Sequence, residues 1–73
     1  MNQINNNNQI NKYQMLKLKF NQNFKKSIYL LLINSNKLKF TIQTSKDILY
    51  INKVDLEYID KVLKRNLIKY KLI

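Results

Sequence analysis

The chain has 73 residues, no cysteine, histidine, glycine or proline, and a formal net charge of +10 from fourteen Lys and Arg against four Asp and Glu. That inventory excludes disulfides, thiol chemistry, histidine-bearing zinc sites and glycine-rich phosphate loops. A chain this short holds one small domain, and so large a charge excess points to a polyanion, either nucleic acid or an anionic surface.

Residues 1–12, MNQINNNNQINK, are Asn-rich and of low complexity. Such a tract buries too little apolar area to offset the entropy of ordering it, so a disordered N-terminal arm is predicted, followed by one domain over 13–73. The arm has no apolar stretch of the secretory kind.

Leu16-Lys17-Leu18-Lys19-Phe20 alternates apolar with basic, the period of a strand with one face buried. After the polar Asn21-Gln22-Asn23 comes Ile28-Tyr29-Leu30-Leu31-Leu32-Ile33. Six apolar residues are far too few for a membrane-spanning helix, which needs about 20. Their length and branched or aromatic content predict a central strand covered on both faces.

Asn34-Ser35-Asn36 reads as a hairpin loop, because Asn tolerates left-handed backbone angles. Leu38-Lys39-Phe40-Thr41-Ile42 alternates again, and after a polar connector Ile48-Leu49-Tyr50-Ile51 is apolar. The last third supports two readings. Val54, Leu56 and Tyr58 alternate with Asp55 and Glu57 as in a strand. Leu56, Ile59, Val62/Leu63 and Leu67 also follow helical spacing, with Asp55 as a candidate N-cap.

The simplest count is five strands, at about 14–23, 26–34, 37–44, 50–59 and 67–73. It predicts an all-β fold, a small, partly closed five-stranded barrel of the oligonucleotide-binding (OB) kind.

Candidate site residues follow from charge. Lys37 and Lys39 project from one strand face, as do Lys17 and Lys19, and such faces suit phosphates. Lys61, Lys64 and Arg65 form a basic cluster, as a loop or as a helix face, with Arg65 the sole arginine and the best bidentate phosphate ligand. Asp55 and Glu57 share a face if their segment is a strand. They read as solvated partners of nearby lysines rather than as a catalytic or metal-holding pair. No enzymatic activity, cofactor, metal or small-molecule substrate is expected.

Lys, Asn, Ile, Tyr and Phe have AT-rich codons, whereas Ala, Gly, Pro and Arg lean on GC-rich ones and are absent or nearly so. This skew fits an AT-rich, reduced organellar genome.

In order along the chain, Leu18-Lys19-Phe20-Asn21-Gln22-Asn23-Phe24-Lys25-Lys26-Ser27-Ile28 resembles the opening of ribosomal protein S-seventeen, a small-subunit family. There Lys26 and Ser27 match a Lys-Thr/Ser pair, and Tyr29-Leu30-Leu31 falls on a valine run. Lys37-Leu38-Lys39-Phe40 resembles a later strand, Val54-Asp55-Leu56-Glu57 a Val-x-Ile-Glu segment, and Tyr70-Lys71-Leu72-Ile73 the closing Trp-Arg-Leu-Val. Asn34-Ser35-Asn36 stands where that family has a long basic hairpin.

The resemblance covers about 16–73. It implies an OB-type barrel bound to small-subunit ribosomal RNA, with neighbouring ribosomal proteins as further partners and no membrane. It also implies that Lys25, Lys26 and Ser27, at the entrance to a core strand, meet RNA phosphates and sugars. The expectation is a structural component of an organellar small ribosomal subunit that supports assembly and translation, in a plastid such as an apicoplast rather than a mitochondrion. The alternative is a small membrane-surface or respiratory-complex accessory subunit that uses residues 28–33 and an amphipathic C-terminal helix beginning near Asp55.

Overall fold

The computed structural model describes residues 14–73. The arm predicted for 1–12, and Tyr13, lie outside the described residues. In chain order the elements are β1 (Met15–Lys19), α1 (Lys26–Ile33), β2 (Gln43–Ser45), β3 (Ile48–Asn52), a 3-10 turn (Lys53–Asp55), α2 (Leu56–Arg65) and β4 (Lys71–Leu72).

The sheet order is β2-β3-β1-β4, with every neighbouring pair antiparallel. It follows that β1 and β2 run parallel with β3 between them, and that β3 and β4 run parallel with β1 between them. Parallel strands need a long crossover, usually a helix. Here α1 joins the first pair and α2 the second. This connectivity is the split β-α-β arrangement.

The predicted all-β, five-stranded OB-like barrel is therefore corrected to a mixed α/β domain with an open four-stranded antiparallel sheet and two helices. Two of the five expected strands are largely helical. The edge strands β2 and β4 have three and two residues, and the sheet does not close on itself.

β1 forms as its alternation predicts, although it ends at Lys19 rather than near residue 23. Leu18 is fully buried, and Phe20 beyond it is in the core. The apolar block over 28–33 is α1, not a strand. Leu32 is buried, Ile28 and Tyr29 pack against the core one turn earlier, and Leu30, Leu31 and Ile33 are exposed. Inward positions three and four apart mark one stripe of a helix. An unbroken apolar run conceals that stripe, because it fits both periods.

Asn34-Ser35-Asn36 does adopt left-handed backbone, at Asn36 (φ 60°), but it ends a helix instead of turning a hairpin. Asn34 N–H donates to Leu30 O at 3.0 Å, and Ser35 Oγ donates to Leu32 O at 2.7 Å. The strand expected at 37–44 shrinks to β2. Residues 37–42 are irregular, held by Ile42 in the core, by Leu38 packed against it and by the Asp55 carboxylate. That carboxylate accepts from Lys39 N–H at 2.8 Å and from Phe40 N–H at 3.0 Å.

The actual hairpin is β2–β3, turning at Lys46-Asp47 with Lys46 at φ 56°. β3 stops at Asn52, whose Oδ1 accepts from Val54 N–H at 2.9 Å and starts the 3-10 turn. Of the two readings of the last third, the helical one holds from Leu56 to Arg65. Ile59, Val62 and Leu63 are buried at the expected spacing, Glu57 lies in the first turn and Lys64 and Arg65 in the last, as the helix dipole favours. Asp55 stands at the N-cap position but caps nothing with its side chain. The predicted strand 67–73 reduces to β4.

One core joins Leu18 of β1, Leu49 and Ile51 of β3, Leu32 of α1, and Ile59, Val62 and Leu63 of α2. Both helices therefore pack on the same face of the sheet.

Candidate nucleic-acid interface

Successive strand side chains point to opposite faces. Leu18, Leu49 and Ile51 face the helices, so Lys17, Lys19, Ile48 and Tyr50 face the other way. The register sets Lys17 opposite Tyr50 and Lys19 opposite Ile48. β4 places Lys71 opposite Lys19, and β2 places Gln43 opposite Tyr50. Ile73 N–H donates to Lys17 O at 3.1 Å and carries the β4 ladder one residue further. Among the described residues no helix covers this face, and Met15, Lys17, Gln43, Ser45 and Lys71 on it are exposed.

The aromatic side chains divide in the same way. Phe20 lies in the core, and Phe24, Tyr29, Tyr58 and Tyr70 pack against it. Two of these also hold structural hydrogen bonds, Tyr29 Oη to Ile42 O at 3.3 Å and Tyr70 Oη to Asp60 Oδ1 at 2.5 Å. Tyr50 and Phe40 stand outside the core cluster. They line one hollow of about 120 Å³ with Met15, Gln43 and Asn52.

All four acids are engaged. Asp47 pairs with Lys19, Glu57 with Lys61 at 3.8 Å, and Asp60 with Lys64 at 3.0 Å. Asp55 is 2% exposed and serves the backbone of residues 39 and 40. The expected solvated Asp55/Glu57 face is thereby corrected: the two carboxylates lie on a turn and a helix, one buried and one exposed. Among the described residues no group of three or more His, Cys, Asp or Glu is placed to hold a metal ion.

This division of labour sorts the predicted site residues. Lys25 stands at the N-cap of α1, and Lys26 and Ser27 are exposed in its first turn. They enter a helix, not a core strand as the resemblance implied. Lys25 borders a cleft of about 280 Å³ between the β1–α1 loop and the turn after α2, which Asn66 and Lys69 also line. Arg65 is exposed at the same end, in the last turn of α2, without an acidic partner among the described residues.

Lys61 and Lys64 share a helix face with Glu57 and Asp60 and are half neutralised by them. Lys37 and Lys39 are exposed on the irregular loop tied to the start of α2, at the other end of that helix. They therefore do not join Lys17 and Lys19 in one strand-face cluster, because no strand forms there.

The open-face group of Lys17, Lys71, Gln43 and Tyr50 was the part not selected from sequence as a unit. Alternation marks Lys17 as outward. Tyr50 sits between two buried residues, Leu49 and Ile51, and only the strand parity reveals that its ring points the other way.

The carboxyls of Asp47 and Asp60 are held below their ordinary value of 3.8, the first chiefly by its hydrogen bond from Lys19 and the second by those from Tyr70 and Lys64. Burial, and then the Asp60 carboxylate, push the Tyr70 hydroxyl up to about 12. A raised pKa stabilises the fold fully below the unfolded value of 10.0 and is lost as pH climbs through the folded one. Depressed carboxyls act in the opposite sense, losing their contribution as pH falls below 3.8. Tyr70→Phe should therefore flatten the decline in urea midpoint between pH 10 and 12 relative to the parent chain. An unchanged slope would detach Tyr70 from Asp60.

Fold and site together define a small split β-α-β domain whose uncovered sheet face is basic and carries an aromatic ring. Compared with protein-family models, with curated proteins and with solved structures, the chain matches none.

Proposed function

We propose that this chain is a structural RNA-binding protein that neutralises and positions folded RNA without catalysing a reaction. The observation that supports this best is the separation of charge. The few acids are used internally, which leaves Lys17, Lys25, Lys26, Lys37, Lys39 and Arg65, with Lys46, Lys53, Lys69 and Lys71, free of acidic partners among the described residues. Repulsion among these cations is a cost to the isolated domain, and a polyanion relieves it.

The particle we propose is the small subunit of an AT-rich organellar ribosome, of a plastid such as an apicoplast, with the chain bound to its ribosomal RNA. The barrel implied by the S-seventeen resemblance is not formed, so the proposal rests on charge, sheet face and composition. Neighbouring proteins of the particle are the second partner, and Leu30, Leu31 and Ile33 of α1 are the exposed apolar surface available to them.

The membrane-surface alternative draws on residues 28–33, where Leu30, Leu31 and Ile33 are exposed, and on a helix beginning near Asp55. That helix exists, but Ile59, Val62 and Leu63 on its apolar stripe are spent on the core. Among the described residues no helix is long and apolar enough to cross a membrane.

Binding of the purified chain to a small-subunit RNA fragment should weaken steeply with salt. A log–log slope of about −3 or steeper corresponds to at least about four phosphates on a single strand. The double change Lys17→Gln and Lys71→Gln should make that slope shallower by about 1.4. The double change Lys61→Gln and Lys64→Gln should act more weakly, because those cations already have acidic partners. Salt-insensitive binding, or failure of the chain to cosediment with small subunits, would count against the reading.

A further inference from the structure

We propose that the open sheet face is a stacking platform for unpaired bases of single-stranded RNA, with Tyr50 as its central ring and Phe40 beside it. This deepens the RNA-binding reading and rests on it. A chain this small needs its aromatics in the core to be stable. Five of the described aromatic residues obey, being in the core or packed against it. The exceptions converge on a single hollow, on the face from which both helices are absent.

The surroundings of that hollow fit a nucleotide. Lys17 stands opposite Tyr50 on one side and Gln43 on the other. A lysine there meets the phosphate of a base lying on the ring, and a glutamine amide both donates to and accepts from a base edge. Lys71 adds a second phosphate contact, next to Lys19. The only acid bordering this face, Asp47, is held by Lys19.

Unpaired bases are the occupant this chemistry selects. In a duplex the π-faces are already stacked on one another, and an open aromatic ring has nothing to receive. A protein strand adding to an edge would use backbone groups of β2 or β4 and would not need Tyr50. An anionic membrane would be drawn by the lysines but has no use for the Gln43 amide.

The test uses the full chain and two probes, a single-stranded RNA decamer carrying one 2-aminopurine and the same decamer in a duplex. The parent chain should bind the single strand about tenfold or more tighter than the duplex and alter the aminopurine fluorescence as the base stacks. Tyr50→Leu should lower single-strand affinity by about tenfold while keeping the salt slope, since stacking carries no charge. Tyr50→Phe should retain the affinity.

Should Tyr50→Leu fail to fold, the aminopurine signal from the parent chain decides. Equal binding of single strand and duplex, with no change in fluorescence, overturns the platform and leaves the polyanion reading standing. Binding of anionic vesicles but of neither RNA, or of no probe at low salt, overturns both.

Discussion

Replacing Leu49 by alanine should abolish the cooperative unfolding transition of this domain at room temperature. Leu49 is fully buried in β3, paired with Leu18 of β1, and belongs to the cluster that both helices share. Truncating a leucine in such a position costs about 3–5 kcal/mol, for the lost transfer free energy and the cavity left behind. A single core in a chain of this length rarely supplies more than about 3–5 kcal/mol in all, and a net charge of +10 works against it.

Circular dichroism against urea should show a broad, non-cooperative loss of signal for Leu49→Ala. Added salt or RNA should restore part of the transition by relieving repulsion or binding the folded state. Leu67→Ala is the matched control. Leu67 is 91% exposed, and its truncation should move stability by no more than about 0.5 kcal/mol. If Leu49→Ala unfolds at the same urea concentration as that control, the shared core is wrong.

Asp55→Ala should be nearly as damaging, at about 3 kcal/mol. Its carboxylate is 2% exposed and accepts two backbone N–H groups, from Lys39 and Phe40, sixteen and fifteen residues away. Hydrogen bonds to a charged acceptor are worth about 1.5–3 kcal/mol each, and water reaching the partly exposed loop recovers some of the loss. Asp55→Asn keeps one acceptor oxygen and should cost about half as much.

The specific signature is local. Amide exchange at Lys39 and Phe40 should accelerate in Asp55→Ala well before global unfolding. Because the freed segment carries Lys37, Lys39 and Phe40, RNA affinity should fall as well. Unchanged exchange at those two amides would refute the staple.

Part of the fold was legible in the sequence for physical reasons. β1 could be read because Leu16-Lys17-Leu18-Lys19 changes polarity at every residue, and only a strand converts that into one dry and one wet face. α2 could be read as one of two options, because Ile59, Val62 and Leu63 keep helical spacing while Lys61, Lys64 and Arg65 take the wet side. α1 could not. In Ile28-Tyr29-Leu30-Leu31-Leu32-Ile33 every position is apolar, so no period exists to be detected. The lysines of the loop at 37–39 were misplaced for a similar reason: their alternation is local, whereas the groups that claim the backbone there belong to Asp55, far along the chain.

By itself the sequence determined the charge, the absence of cysteine and histidine chemistry, and the apolar residues available for a single core. These depend on composition and short-range pattern, which survive any arrangement of the chain. The tertiary structure alone decided that the apolar block is a crossover helix, that the sheet stays open, and which cations are left without acids. It alone placed Tyr50, Phe40 and Gln43 around one hollow, with Lys17 opposite Tyr50 in the sheet. Those outcomes depend on pairing between distant segments, β1 with β3 and Asp55 with residues 39 and 40. Contacts of that kind are set by how the whole core closes, and no local run of residues encodes them.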